Sequence, residues 1–398
     1  MAELEATTVR KGNKKVSVTV SGWVVKSFNV WDDGIQSNAR VGDKDADLAS
    51  RFAITGEAEI SPGWSAGYNM TITAPAQTFG ILSDQADDLQ GLNSDINTLY
   101  SYMYIKSDKW GTINWGTLSP ASDNAAVLAD ISGTVIESNA VFFEGPSFGI
   151  RTPGGGYSGF TWLNFLQCAT LGGTAGGIGA DCNGGPYDAV RYDSPTIGGF
   201  RLEASWGAND RGDVAVFYNG DWGAFKTSAA YAYTHTSAGQ TISATQPLGG
   251  EADLHQVGAS IMHNPTGLGI YGLYQTEEID TAYNTPDGNT WYLKPFLKRT
   301  FMPMGATTFY GEYGEYNDQY YDLANTNFCA GAGTCLITGS EVQRYGLGVV
   351  QEIDAAAMHV FGRWQHQELD LDFSGGAAAP ATAFEDWDLF QVGGVIFF

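Results

Sequence analysis

No stretch of this chain approaches the roughly 18 to 20 consecutive apolar residues that a helix needs to cross a bilayer, so a helical membrane protein is excluded. Positive charge is scarce: 20 Lys and Arg stand against 44 Asp and Glu, a formal net charge of −24. A nucleic-acid partner is set aside, because phosphate binding needs clustered cations. Charged residues of both signs make up only 16% of the chain and mean hydropathy is −0.16, which fits neither a disordered chain nor a uniformly apolar one. A secretory signal is also missing. Met1 to Lys15 is polar, with Glu3, Glu5, Arg10, Lys11, Lys14 and Lys15 and no apolar stretch. Met1 is therefore expected to be a start residue placed ahead of a mature chain. Cysteine is limited to four residues, in two local pairs: Cys168 with Cys182 and Cys329 with Cys335. No CxxC spacing occurs and no His flanks either pair, so a zinc site or four free thiols is disfavoured against two loop disulfides formed outside the cytoplasm.

What the sequence has in quantity is aromatic residues, at 13%, and 52 glycines. From Val16 onward one unit recurs: an alternating segment of about ten residues, a short polar turn, a second such segment and a longer irregular loop. In Arg51 to Ile60 the apolar residues fall at 52, 54, 58 and 60, and the turn Ser61-Pro62-Gly63 follows. The same reading places strands near 16–28, 50–60, 64–74, 96–106, 110–117, 187–194, 199–207, 212–219, 224–234, 254–263, 269–277, 290–298, 306–316, 341–350, 357–368 and 386–398. The prediction is an all-β fold: a 16-stranded antiparallel transmembrane β-barrel formed by residues 1–398 as a single domain, with a third loop over 118–186 far longer than a hairpin connection. The short turns at 107–109, 196–198, 221–223 and 264–267 fall on one side, and the long loops on the other.

Strand side chains alternate between faces, so apolar sets such as Phe225, Ala229, Tyr231 and Tyr233 are expected to face lipid, with Lys226, Ser228 and Thr234 facing a lumen. A soluble sandwich also alternates. The tryptophans near strand ends, Trp64, Trp110, Trp222, Trp291, Trp364 and Trp387, favour the interfacial girdles of a membrane barrel.

Three motifs are weighed and set aside. Gly154 to Gly159 satisfies GxGxxG but neither follows a strand nor opens a helix. Asp43-Lys44-Asp45-Ala46-Asp47 opens like a calcium loop, but Leu48 and Ile54 stand where Gly and Glu are required. A solvated acidic loop is the reading there; a loop-bound divalent cation, or one bridging to lipopolysaccharide phosphates, is the alternative. Of the five His, at 235, 255, 263, 359 and 366, His359 is the best inward candidate for a barrel enzyme, yet no GxSxG surrounds any Ser. No catalytic residue, cofactor or dedicated metal site is expected.

Two motifs carry a family likeness. Ala189 to Arg201 followed by Leu202 to Gly207 resembles the hairpin after the constriction loop of alphaproteobacterial trimeric general porins. Trp387 to Phe398, ending on Phe398 with Ile396, Val392 and Phe390 at matching parity, resembles the terminal signal read by the outer-membrane assembly machinery. The resemblance implies an outer-membrane homotrimer in contact with lipid and lipopolysaccharide that passes ions and small hydrophilic solutes by diffusion. It also implies that 118–186 folds inward as the eyelet. A barrel enzyme, a substrate-specific channel and a secreted β protein or adhesin are the alternatives. Small residues Ala53, Gly56 and Ala58 are expected to supply a protomer contact.

Parity places Arg51, Arg191, Arg201, Lys226, Lys294, Lys298, Arg344 and Arg363 on the lumen side, with the acids Glu57, Glu59, Glu203 and Glu312. The third loop supplies Asp123, Asp130, Glu137, Glu144 and Asp181. The expectation is a transverse field, loop acids facing wall bases across a narrow gap. A weak cation preference is expected from the net charge, moved toward anions by neutralising Asp123 and Asp130 together.

Overall fold

The computed structural model describes residues 15–44, 48–74, 96–141, 144–166, 168, 179–237, 251–279, 286–320, 326–329, 333–375 and 383–398. Strands dominate: β1 (Ser17–Asp32), β2 (Ser37–Gly42), β3 (Arg51–Ser61), β4 (Trp64–Thr73), β5 (Asn97–Ser107), β6 (Gly111–Leu118), β7 (Gly149–Arg151), β8 (Tyr157–Thr161), β9 (Tyr187–Asp193) and β10 (Phe200–Gly207). They continue as β11 (Gly212–Asp221), β12 (Phe225–Thr236), β13 (Ala252–His263), β14 (Leu268–Ile279), β15 (Gly288–Met302), β16 (Gly305–Asn317), β17 (Ile337–Ile353), β18 (Met358–Phe373) and β19 (Trp387–Phe397).

All strands except β7 and β8 form one antiparallel sheet, which closes because β19 pairs with β1 from Trp23 opposite Phe397 to Asp32 opposite Asp388. Seventeen strands fill sixteen wall positions, since β2 and β3 share one. β2 pairs with Ser27–Asp32 of β1, and β3 pairs with Ser17–Trp23. That wall strand is interrupted between Gly42 and Arg51. The sequence reading left 29–49 as loop; the structure instead extends β1 to Asp32 and adds β2, with Asn29 and Trp31 buried on one face of the extension.

Closure removes sheet edges, and with them the unpaired backbone groups that hydrocarbon cannot solvate. The two faces are inverted relative to a soluble sheet. On β13, Val257 and Ile261 are each 44% exposed while Gln256 and Ser260 are buried. On β19, Phe390 and Val392 are exposed while Gln391 is fully buried. The exposed apolar face is the lipid face of a closed wall, and the buried polar face is its inner one.

Two expectations about faces change. Trp387 shares parity with Leu389 and Gln391, so it points inward and packs edge-on against Phe148 at 5.4 Å instead of joining a girdle. Ala53 pairs opposite Ser21 and has the parity of Arg51, placing it on the face opposite Gly56 and Ala58.

Candidate functional site

The inner face is built by period-two alternation: along β10–β19 buried residues recur at every second position, many of them polar or aromatic, and many of their partners lie in the segment between β6 and β9. Its first residues, beginning Ser119-Pro120-Ala121-Ser122, form turns and a short 3-10 helix at Val127–Ala129. The backbone N–H of Ala121 donates to Ser205 Oγ at 3.0 Å and to Asp213 Oδ1 at 3.1 Å. Ala126 N–H donates to Gln256 Oε1, and the Tyr271 hydroxyl donates to Ala126 O. Farther on, Tyr316 donates to Ala140 O, and Arg344 to Val141 O and Asn139 O. The segment is thus tied strand by strand from β10 to β18. Its apolar residues pack: Val141, Trp162 and Phe165 are buried, whereas Phe142 and Phe143 lie outside the described residues.

The glycine cluster 154–159 is the tip of a β7–β8 hairpin inside this segment, with Gly155 at φ +81° and Thr152 N–H bonded to Gly156 O. It is a turn, with no helix behind it to receive a phosphate. The cysteines pair as Cys168–Cys182 and Cys329–Cys335, and the first bridge sits beside Leu254 with both cysteines buried.

The charges are arranged differently from the expected gap. Lys294 and Asp130 form an ion pair of 3.0 Å with both side chains fully buried. Glu144 is held by Lys44 at 2.7 Å and by Arg363, all within 4% exposure. Glu137 meets His359 Nδ1 at 2.7 Å, and Lys298 pairs with Glu352 at 2.7 Å. Arg344 lies 3.7 Å from Glu312, whose Oε2 also accepts from Ser138 and Tyr292. Wall bases and loop acids are in contact because the segment rests directly on β13–β18, leaving no gap for a field there. Burial alone would raise the Glu144 carboxyl, but Arg363 and Lys44 hold it down, at about 2. Asp181 goes the other way: burial, with Asp123 beside it, pushes its carboxyl well above the usual range.

Sequence reasoning missed Lys44. It was assigned to a solvated acidic loop, but the interruption between β2 and β3 buries it, and Gln391 donates to its carbonyl. Asp43 is buried as well and pairs with Lys26 of β1. Asp45 to Asp47 lie outside the described residues. The signal was the single Lys inside the acid run.

The remaining predicted bases sit elsewhere. Arg191 bonds Asp193 at 2.7 Å and donates to Ser119 O; Arg201 pairs with Glu203 at 2.8 Å; Arg51 lies over the Trp23 ring at 4.3 Å; Lys226 is exposed at the start of β12. Glu57 and Glu59 are exposed on β3. Asp123 accepts from Ser119 Oγ and from the Asn124 amide. Phe398 joins the closure seam, its N–H donating to Gly22 O and its carbonyl accepting from Gly22 N–H.

No curated protein matches the sequence. Among solved structures, the anion-selective porin of Comamonas acidovorans aligns with 96% of this chain and 100% of its own at 17% identity, TM-score 0.62. OmpT of Vibrio cholerae, solved in a trimer form, aligns with 97% of this chain and all of its own at 15% identity, TM-score 0.56. OprB of Pseudomonas putida aligns with 96% of this chain and 94% of its own at 10% identity, TM-score 0.59. These likenesses establish the barrel fold. A family model described as Gram-negative porin matches residues 1–363. With the closed sheet and inverted faces, that match makes the chain a member of the Gram-negative porin family, a general diffusion porin of the bacterial outer membrane.

Proposed function

We propose that segment 119–186 narrows an aqueous passage running beside it, and that the protein works as a homotrimer without chemistry. The carrying observation is the one-sided attachment of this segment. Its described contacts with the wall run from Arg191 of β9 through Arg344 of β17 and, by ion pairs from Glu137 and Glu144, β18, to Trp387 of β19, Trp31 of β1 and Asp33 just after it. Sixteen wall positions enclose more room than side chains fill, and a segment held from β9 round to β1 leaves the passage along the remaining strands, past β3–β6. Arg51 of β3 with Arg191 and Arg201 of β9 and β10 stand against Glu57, Glu59, Asp193 and Glu203, one acid in excess, and with the net charge of −24 this sets a weak cation preference.

The histidines fit wall and rim positions of a channel. Among the described residues their partners are carboxylates, Tyr231 and Thr266, and none is bonded to a serine. The outward clusters of His366 with Asp388 and of Tyr345 with Glu368 suit contact with lipopolysaccharide headgroups. The trimer is supported by the trimer form of the Vibrio OmpT neighbour. Planar-bilayer recording tests the whole reading: conductance that falls in three equal steps is expected, and a purified, folded barrel that opens no channel would reject it.

A further inference from the structure

The inward-facing tyrosines divide into two groups. Tyr271, Tyr292 and Tyr316, on β14–β16, are fully buried beneath segment 119–186, with Tyr271 and Tyr316 donating to its backbone. Tyr100, Tyr102 and Tyr104 of β5 alternate with the outward Met103 and Ile105, so they form a column on the inner face, one at every second residue. They are half-buried, and among the described residues none of the three hydrogen-bonds to segment 119–186. The Tyr104 ring lies over Gly67 of the neighbouring strand, where a Cβ would come within 2.3 Å of it. The ring therefore lies across the wall and turns a face to the lumen. A second feature is the polar rim. The Tyr104 hydroxyl donates to Glu57 Oε2 at 2.9 Å, Tyr102 is bonded to Asn69, and Tyr100 lies within electrostatic reach of Arg51, Arg191 and Asp123.

Resting on the diffusion reading, we infer that this column is a binding track for neutral, polyhydroxylated solutes of the sugar class. The charges beside it are of both signs, so a free anion meets Glu57 and Asp123 while a free cation meets Arg51 and Arg191. A neutral sugar uses both, its hydroxyls donating to the carboxylates and accepting from the guanidinium groups. Its C–H faces meet the electron-rich ring faces. Aromatic surface with a few convergent polar groups is the usual composition of a small-ligand site, and successive rings let a solute pass from one to the next without losing contact.

The test is current blockade of the reconstituted porin in a planar bilayer, with maltotriose as probe. Concentration-dependent blockade is expected. The double variant Tyr100→Ala/Tyr102→Ala should weaken half-blockade by about tenfold, while Tyr100→Phe/Tyr102→Phe, which keeps the rings, should stay within about threefold of the parent. Heat-modifiable gel mobility verifies that each variant is a folded barrel, and if the alanine pair does not fold, Tyr104→Ala takes its place. An open channel that maltotriose does not block, or blockade of equal strength in the alanine variant, overturns this inference and leaves the diffusion reading standing. A protein that forms no channel overturns both.

Discussion

The side chains that matter most are the charged ones buried under the segment. Lys294 and Asp130 have no exposed surface, so removing one partner leaves the other charged and unsolvated. Asp130→Asn is expected to cost about 3 kcal/mol or more, read as a drop in the detergent melting temperature, whereas Asp123→Asn, at a half-buried site, should shift the reversal potential toward anions with little loss of stability. Glu144 gives a pH dependence. Its carboxyl sits below its ordinary value of about 4.3, so its stabilising contribution is complete above that value. It is lost as the pH falls from about 4 toward about 2. Melting curves across that window should steepen in the parent and flatten in Glu144→Gln. Asp181 has the opposite sign. Its folded value is raised, so stability falls as the pH rises above about 4. Asp181→Asn is expected to remove that fall and to be at least as stable as the parent at about pH 7; an unchanged pH profile would show that Asp181 carries no penalty.

At the scale of elements, alternation made most strands legible. β4, β5, β10, β13 and β16 lie within three residues of the ranges read from sequence, because each has an apolar side every second residue and a polar turn at one end. The extension of β1 and the whole of β2 were not legible. There the polar Asn29 faces a buried interior, and polar residues at the start of a loop look the same as polar residues inside a barrel. Trp387 was misplaced for a related reason: a tryptophan at a strand end fits a girdle until the segment that covers it is seen. The alternation placed the wall bases on their strands, but no sequence pattern states that a loop of this length will lie flat against the wall from β9 round to β1 and pair its acids with them. The bridges belong to this scale too. Cys168–Cys182 fixes the far end of the segment close to β13, so Cys168→Ser/Cys182→Ser is expected to lower stability by about 2 to 3 kcal/mol. Mass spectrometry of a non-reduced digest should return only the two local pairs.

For the molecule as a whole, the seam between β1 and β19 decides whether there is a barrel. Phe398 bonds Gly22 in both directions and exposes its ring on the lipid face with Ile396 and Val392. Removing Phe398 is expected to reduce insertion into the outer membrane several-fold while leaving the conductance of those barrels that do form unchanged; wild-type membrane levels of the truncated chain would reject a role in assembly. The seam also imposes an order in time. Neighbouring hairpins can form as soon as their own residues exist, but Trp23 waits for Phe397, and that contact spans nearly the full chain. Distant contacts carry the largest loop-closure cost and form slowly. Until the last residues arrive, the nascent sheet keeps two open edges that any other extended chain could join, so whatever escorts this polypeptide to the membrane has to shield both ends at once.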